Sequence, residues 1–358
     1  MSNQITQKDI ATLKELTALF GPSGFECEVA EYIEKKLNGI CHSYVKDKMG
    51  NLIALIRTGD PNASDRTRLM LSAHMDEVGV MVTEVCDDGL LRFDTVGGIN
   101  VSVLEGRKVT MANEDGRLSG LVMSKAIHHV KREDRKKANA IEKLYIDIGA
   151  RTKEEAEGLA PVGTFGVFDS EFYLFGEKIE FVKGKAIDDR MGCVALLEVM
   201  ESICNAPPAN DLDIYFCFTV REEIGLSGAK VAANKIQPDI AIVLETTAIG
   251  DLPDAPPARR VADVGNGGAL SVADRSTIYD RELIDLALSL GKAENIPVQV
   301  KRYVSGGNDA GSIHKSGAGV RCLALSVPTR YLHSPACVAH IEDFRSVKRL
   351  TEALIRNL

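Results

Sequence analysis

The chain has 358 residues, 45% of them hydrophobic and 26% charged, with a formal net charge of −8. That is globular composition, enough for one large domain or two ordinary ones. The acidic balance and the lack of a long basic run exclude a nucleic-acid partner, and no Trp with only 5% aromatics leaves few stacking platforms for sugars or bases.

Ile10, Leu13, Leu16 and Leu19 are spaced for one face of an N-terminal amphipathic helix. No basic start followed by an apolar core precedes it, so no signal peptide is expected. No apolar run approaches the roughly 18 residues of a membrane span. The eight cysteines lie singly, with no CxxC pair. They read as reduced thiols in a cytoplasmic protein rather than disulfides or a Cys-ligated zinc site.

Strands follow at "NLIALIR" (51–57) and "RLMLSAH" (68–74). Residues 78–180 then break into short strand-like pieces separated by Gly/Asp/Asn turns, with "NEDG" set up as a hairpin turn and one helical piece, "TKEEAEGL". "HHVKREDRKK" (128–137) mixes both charges and reads as a solvated loop. From residue 181 strand and helix alternate: helices near 189–204, 226–234, 277–295 and 342–357, and strands at 212–220, 239–245 and 320–327. This rhythm predicts an α/β/α sandwich of the phosphorylase/hydrolase-like kind, with a mostly parallel central sheet. It would be formed by 1–77 and 181–358, with a small β-barrel-like domain inserted over 78–180.

The ionisable residues fall at element ends. "RLMLSA" runs into His74, with Asp76 two residues on. "DIYFCFTV" leads through Arg221 to Glu222 and Glu223, "DIAIVL" runs into Glu245, and "VRCLALSVPTRYL" ends at His333. Asp188 and Asp189 open a helix. Taken singly, each has an ordinary role as a helix cap, a solvated turn or a paired strand-end charge. Independent ordinary roles do not predict that five element ends send acids and imidazoles to one edge, where the ligand crevice of an open parallel sheet lies. His74, Asp188, Glu223, Glu245 and His333 suit zinc, cobalt or manganese. Five ligands are too many for one tetrahedral ion with an open position, but fit two ions about 3.5–4 Å apart that share a bridging carboxylate.

These residues carry a resemblance. "SAHMDEVG" (72–79), "KAIDDRMG" (185–192), "TVREEIGLSGA" (219–229), "IVLETT" (242–247) and "PTRYLHSP" (328–335) occur in the order found in metallopeptidase family forty-two. These are dinuclear aminopeptidases that build hollow tetrahedral particles, glutamyl aminopeptidases and endoglucanase M-like proteins among them. "FGPSGFE" (20–26) and "GGNDAGSIH" (306–314) also resemble family segments, so the likeness spans nearly the whole chain. It implies that His74, Asp188 and Glu245 hold one metal, and that Asp188, Glu223 and His333 hold the other, with Asp188 bridging. It further implies hydroxide as nucleophile, Glu222 as general base, and Asp76 hydrogen-bonded to the free nitrogen of His74.

The substrates it implies are peptides with a free N-terminus. The inserted domain would make dimers, and dimers would join into a dodecamer. Gly307 and Asp309 become candidates for the substrate pocket. Glu245 stands where the family usually has Asp, Asn308 where Thr is commoner, and Arg221 where Gln is common. Lys301 and Arg302 would favour an acidic side chain if they faced the pocket, but they read as an exposed strand edge. A deacylase or carboxypeptidase with a similar two-metal site is the alternative activity.

Overall fold

The computed structural model describes residues 2–38, 40, 43–113, 116–130, 132–133, 138–178 and 180–358. Cys41, the Glu114–Asp115 turn of the expected hairpin, and part of the 128–137 loop lie outside the described residues. The chain opens with helices α1 (Ser2–Ala18) and α2 (Cys27–Leu37), then strands β1 (Tyr44–Lys46), β2 (Leu52–Arg57) and β3 (Thr67–His74). Next come β4 (Gly79–Val85), β5 (Leu91–Val96), β6 (Lys108–Asn113), β7 (Gly116–Ser124), β8 (Leu144–Asp147), helix α3 (Lys153–Leu159) and β9 (Phe165–Phe168). The remainder is β10 (Tyr173–Phe175), β11 (Phe181–Gly184), α4 (Ile187–Asn205), β12 (Leu212–Thr219), α5 (Ser227–Ile236), β13 (Ile240–Ala248), β14 (Gly268–Leu270), α6 (Arg281–Ala293), β15 (Val298–Val300), α7 (Ala310–Ile313), β16 (Arg321–Arg330), β17 (Cys337–His340) and α8 (Ile341–Asn357).

An 11-stranded sheet carries the order β1-β2-β12-β3-β13-β16-β17-β11-β10, with β14 and β15 branching from β16. Its centre, β12-β3-β13-β16, is parallel, and the strands that flank this centre pair antiparallel. The central strands are near-continuous apolar runs because helices cover both faces. α4 packs on β3 and β13 with α1 and α8 beside it, while α5 and α7 pack together over β12 and β13. α4 is buried on nearly every side, as an apolar helix between a sheet and two other helices must be.

A second core belongs to a closed six-stranded antiparallel barrel, β4-β5-β8-β7-β6-β9. Alternation drives it: Val80 and Val82, or Val109 and Met111, point inward while their neighbours face out. The barrel strands end at Phe168. β10, inside the span 78–180 expected for the insert, pairs instead with β11 and extends the large sheet. All three of its residues are exposed, so no alternation marked its allegiance in the sequence. The helix expected from 277 starts at Arg281 because Asp280 caps it, accepting the Leu283 N–H at 3.0 Å. No helix among the described residues is long and apolar enough to cross a membrane.

Candidate metal centre

Parallel register places the first ligands. Thr219 of β12 pairs with His74 of β3, and Val243 of β13 pairs with Ser72, so Glu245 ends level with His74. Past β12 the chain turns sharply through Arg221, which takes a left-handed conformation (φ 57°). Three side chains hold this turn. Asn51 Oδ1 accepts the Val220 N–H at 3.1 Å, and Glu26 Oε1 accepts that of Arg221 at 3.1 Å. The carboxylate of Asp76 accepts from Glu222 N at 3.0 Å and Glu223 N at 3.2 Å. Ser23 donates to the same carboxylate at 2.5 Å. The "FGPSGFE" segment is thus a brace for the paired glutamates.

Asp188 sits at the centre. Its Oδ1 lies 3.4 Å from His74 Nε2, and its Oδ2 3.2 Å from His333 Nε2. Glu245 Oε1 is 3.5 Å from His74 Nε2, and Glu223 Oε1 is 3.3 Å from His333 Nε2. Two imidazole–carboxylate clusters therefore share one aspartate. Asp189, joined to Asp188 by a cis peptide, is fully buried and within reach of His74 and Glu245. Its Oδ1 accepts the Gly192 N–H at 3.0 Å.

The ring nitrogens show what the clusters need. His74 Nδ1 is 3.1 Å from the Asp76 carbonyl oxygen, and His333 Nδ1 is 2.8 Å from the Gly98 carbonyl. A carbonyl accepts only, so each Nδ1 carries the proton, and each Nε2 turns a lone pair toward carboxylates. Lone pairs facing anions need a cation between them. Buried Asp188 Oδ1, Glu223 Oε1 and Asp189 Oδ2 also accept no hydrogen bond. The donor set, neutral imidazoles and carboxylates without thiolate, fits divalent zinc, cobalt or manganese.

Protons stand in for that cation in the protein alone. Burial opposes the charge on His74 and His333, but the surrounding carboxylates outweigh it. His74 is held well above the usual histidine range, and His333 is pushed up to about 10. Burial also works to protonate Asp188, yet the facing rings of His333 and His74, when protonated, hold it well below the ordinary range. Burial, reinforced by Asp188, raises Glu223 and Glu245 to about 8 each. Glu222 is likewise held well above its ordinary value, by burial first and then by Glu245 and Glu223 against the opposing pull of His74.

A cavity of about 740 Å³ opens onto the cluster, with Asp188, Glu222, Glu223, Glu245 and His333 on its wall. Gly307 lines it as well. Asp309 lies behind the wall, 1% exposed, its Oδ2 accepting from Thr219 at 2.6 Å and Ser72 at 3.3 Å. Two placements differ from the sequence expectation. Lys301 faces the cavity instead of lying on an exposed edge, because its N–H bonds to Leu270 O at 2.8 Å and sets it beside β14. Arg302, next along, is exposed and paired with Asp263. The Asp76 carboxylate stands 3.4 Å from His74 Nδ1, further than its own carbonyl, and is used chiefly to hold the glutamate turn. Sequence reasoning missed Gly98, whose carbonyl orients His333 from the end of β5. The glycine pair Gly97–Gly98 was the available signal, since a Cβ on Gly98 would stand 3.3 Å from His333 Nδ1.

An α/β/α sandwich with a cation-seeking cluster at the ends of its parallel strands has the build of a metal-dependent hydrolase. The M42 glutamyl aminopeptidase family matches the chain over residues 50–350, and the chain belongs to that family of peptide-bond hydrolases. A lysyl aminopeptidase of Pyrococcus furiosus is 29% identical over 98% of this chain and 97% of its own. The TET aminopeptidase of a marine sediment Thaumarchaeota archaeon superposes with a TM-score of 0.93 at 33% identity, covering 98% of this chain and 97% of that one. The TET1 peptidase of Pyrococcus horikoshii, which can assemble into a tetrahedron or a large octahedral shell, superposes with a TM-score of 0.85 at 34% identity over 98% of this chain and 100% of its own.

Proposed function

We propose that the protein is a metal-dependent aminopeptidase that removes N-terminal residues from peptides, using two divalent ions per chain. His74, Asp188 and Glu245 would hold one ion, and Asp188, Glu223 and His333 the other. The observation that carries this reading is the pair of Nε2 atoms aimed at opposite oxygens of Asp188. Zinc or cobalt, with manganese a third choice, would supply Lewis acidity that lowers the pKa of water and polarises the scissile carbonyl. Glu222 takes a proton from the attacking water and delivers it to the leaving amine, a role suited to a carboxyl whose proton affinity burial has raised. The α-amino group of the peptide rests against the acidic end of the cavity. Asp76 keeps Glu222 and Glu223 aimed apart, so that one binds while the other moves the proton.

Family membership supports the aminopeptidase reading over a deacylase or carboxypeptidase with the same metal pair. Aminoacyl p-nitroanilides and their N-acetylated counterparts, assayed with zinc or cobalt, separate these activities. Cleavage of free-amino substrates alone is expected, and removal of N-acyl groups would overturn the reading. We further propose that the barrel domain makes dimers that join into a dodecamer, by analogy with the shells named above, and that the enzyme is cytoplasmic. A 38.8 kDa monomer by light scattering would refute the assembly.

A further inference from the structure

Helix hydrogen bonds do not fix the direction of Asp188. It opens α4, but its backbone (φ −81°, ψ 109°) and that of Asp189 (φ −118°, ψ 41°) lie outside the helical range. Its carboxylate nonetheless faces His74 on one side and His333 on the other. The residues flanking it are anchored to a single atom. Lys185, three positions before, donates to Glu77 Oε1 at 2.6 Å, and Arg190, two positions after, donates to the same oxygen at 3.4 Å. All three side chains are buried, Arg190 completely.

Glu77 follows β3, three positions beyond His74, and its backbone is fixed as well. Its N–H donates to Gly21 O at 2.9 Å, and its carbonyl accepts from Ser23 N at 3.3 Å. The two cations tie down the same segment: Lys185 donates to Leu19 O at 2.8 Å, and Arg190 to Leu16 O at 2.9 Å and Gly21 O at 3.3 Å. Glu77 and Lys185 share the lining of a small cavity of about 10 Å³ with Asp188, Glu223 and His333, so this network lies directly behind the metal cluster. Two buried cations on one carboxylate leave a positive charge in excess, and desolvating such ions costs about what pairing returns, so stability alone is a weak reason for them. What the arrangement supplies is direction. Arms on both sides of Asp188 close on one oxygen, carried by the chain that has just delivered His74.

We propose that Glu77, gripped by Lys185 and Arg190, is a positioning residue for the metal pair. The clamp sets the approach of Asp188 to His74 and acts on the metals only through that aspartate. The inference rests on the metal-dependent reading above and adds to it the residues that hold the bridging ligand in place.

The test uses cobalt(II), whose visible absorption reports coordination geometry. The metal-free full-length protein is titrated with cobalt while absorption, bound metal and melting temperature are followed. E77Q keeps the shape of the side chain and removes its charge. K185M removes one arm and leaves the Arg190 contact. E77Q is expected to weaken cobalt binding about 10- to 100-fold and to shift the absorption bands, with kcat on an aminoacyl p-nitroanilide falling more than KM changes. K185M should do the same to a smaller extent. L196A opens a cavity at a fully buried position of α4 outside the clamp, so it should lower the melting temperature and leave the bands in place. Wild-type affinity and bands in E77Q overturn the proposal, as do shifts in L196A as large as those in E77Q. If E77Q does not fold, K185M decides by the same criteria. Wild-type protein that takes up no cobalt overturns the metal-dependent reading and the clamp with it, whereas normal uptake with unaltered variants overturns the clamp alone.

Discussion

At one end of the cavity His74, Asp188, Glu223, Glu245 and His333 are fixed by strand register, by backbone carbonyls behind each imidazole, and by a turn braced from three separate segments. At the other, Lys301 and Arg275 sit on connections beside short strands and, among the described residues, make no ion pair. Groups that must hold a cation within tenths of an ångström are built on the rigid centre of the sheet, where neighbouring strands over-determine their positions. The two cations sit on peripheral segments, where a residue can change without disturbing the sheet. Substitutions at the two ends of the cavity are therefore expected to act separately.

The largest expected effect comes from the shared ligand. D188N should remove stoichiometric metal, measured by elemental analysis, and lower turnover by more than about a thousandfold. E222Q should lower kcat by about 10²–10⁴ while the protein keeps its metal, which separates moving the proton from holding the cation. D76N replaces a double acceptor with a group that can accept on one side only, so one of the Glu222 and Glu223 N–H groups loses its partner. A loss of about 10- to 100-fold in activity or metal affinity is expected, read from kcat and from metal titration.

The smallest effect is a pH dependence of stability. In metal-free protein Glu223 and Glu245 titrate near 8 and His333 near 10, above the ordinary 4.5 and 6.5. The folded state then binds more protons than the unfolded chain across that range, so this stabilisation is complete at low pH and is lost as pH rises through 8 to 10. Bound cations replace those protons. The gap in melting temperature between metal-loaded and metal-free protein should widen as pH rises from 5.5 to 8.5, and calorimetry in buffers of different ionisation enthalpy should show proton release on metal binding. A gap that narrows with pH would contradict the assignment of these carboxylates.

Much of the metal cluster was legible because its residues obey a rule that needs no coordinates. An apolar run long enough to be a buried strand, ending in His or Glu, places that side chain at the carboxyl edge of a parallel sheet. His74, Glu245 and the Glu222–Glu223 pair are all positioned this way. The long strands and helices were likewise legible from period and length, whereas β10, β14 and β15, three residues each, are too short to show a period. The motif "FGPSGFE" could be matched by resemblance, but its use in bracing a turn some 200 residues on could not be read from it, because nothing local to residues 20–26 encodes what Glu26 will meet.

The sequence alone determined which groups reach the active edge of the sheet, since periodicity and strand ends are local properties that hydrophobic burial converts into position. Only the tertiary structure decided how those groups are tuned: that Asp76 braces the glutamate turn, that a carbonyl at the end of a barrel strand orients His333, and that Lys301 turns into the cavity and not out to solvent. Each of these depends on a meeting between segments distant in the chain, settled by the packing of whole elements and not by the residues on either side.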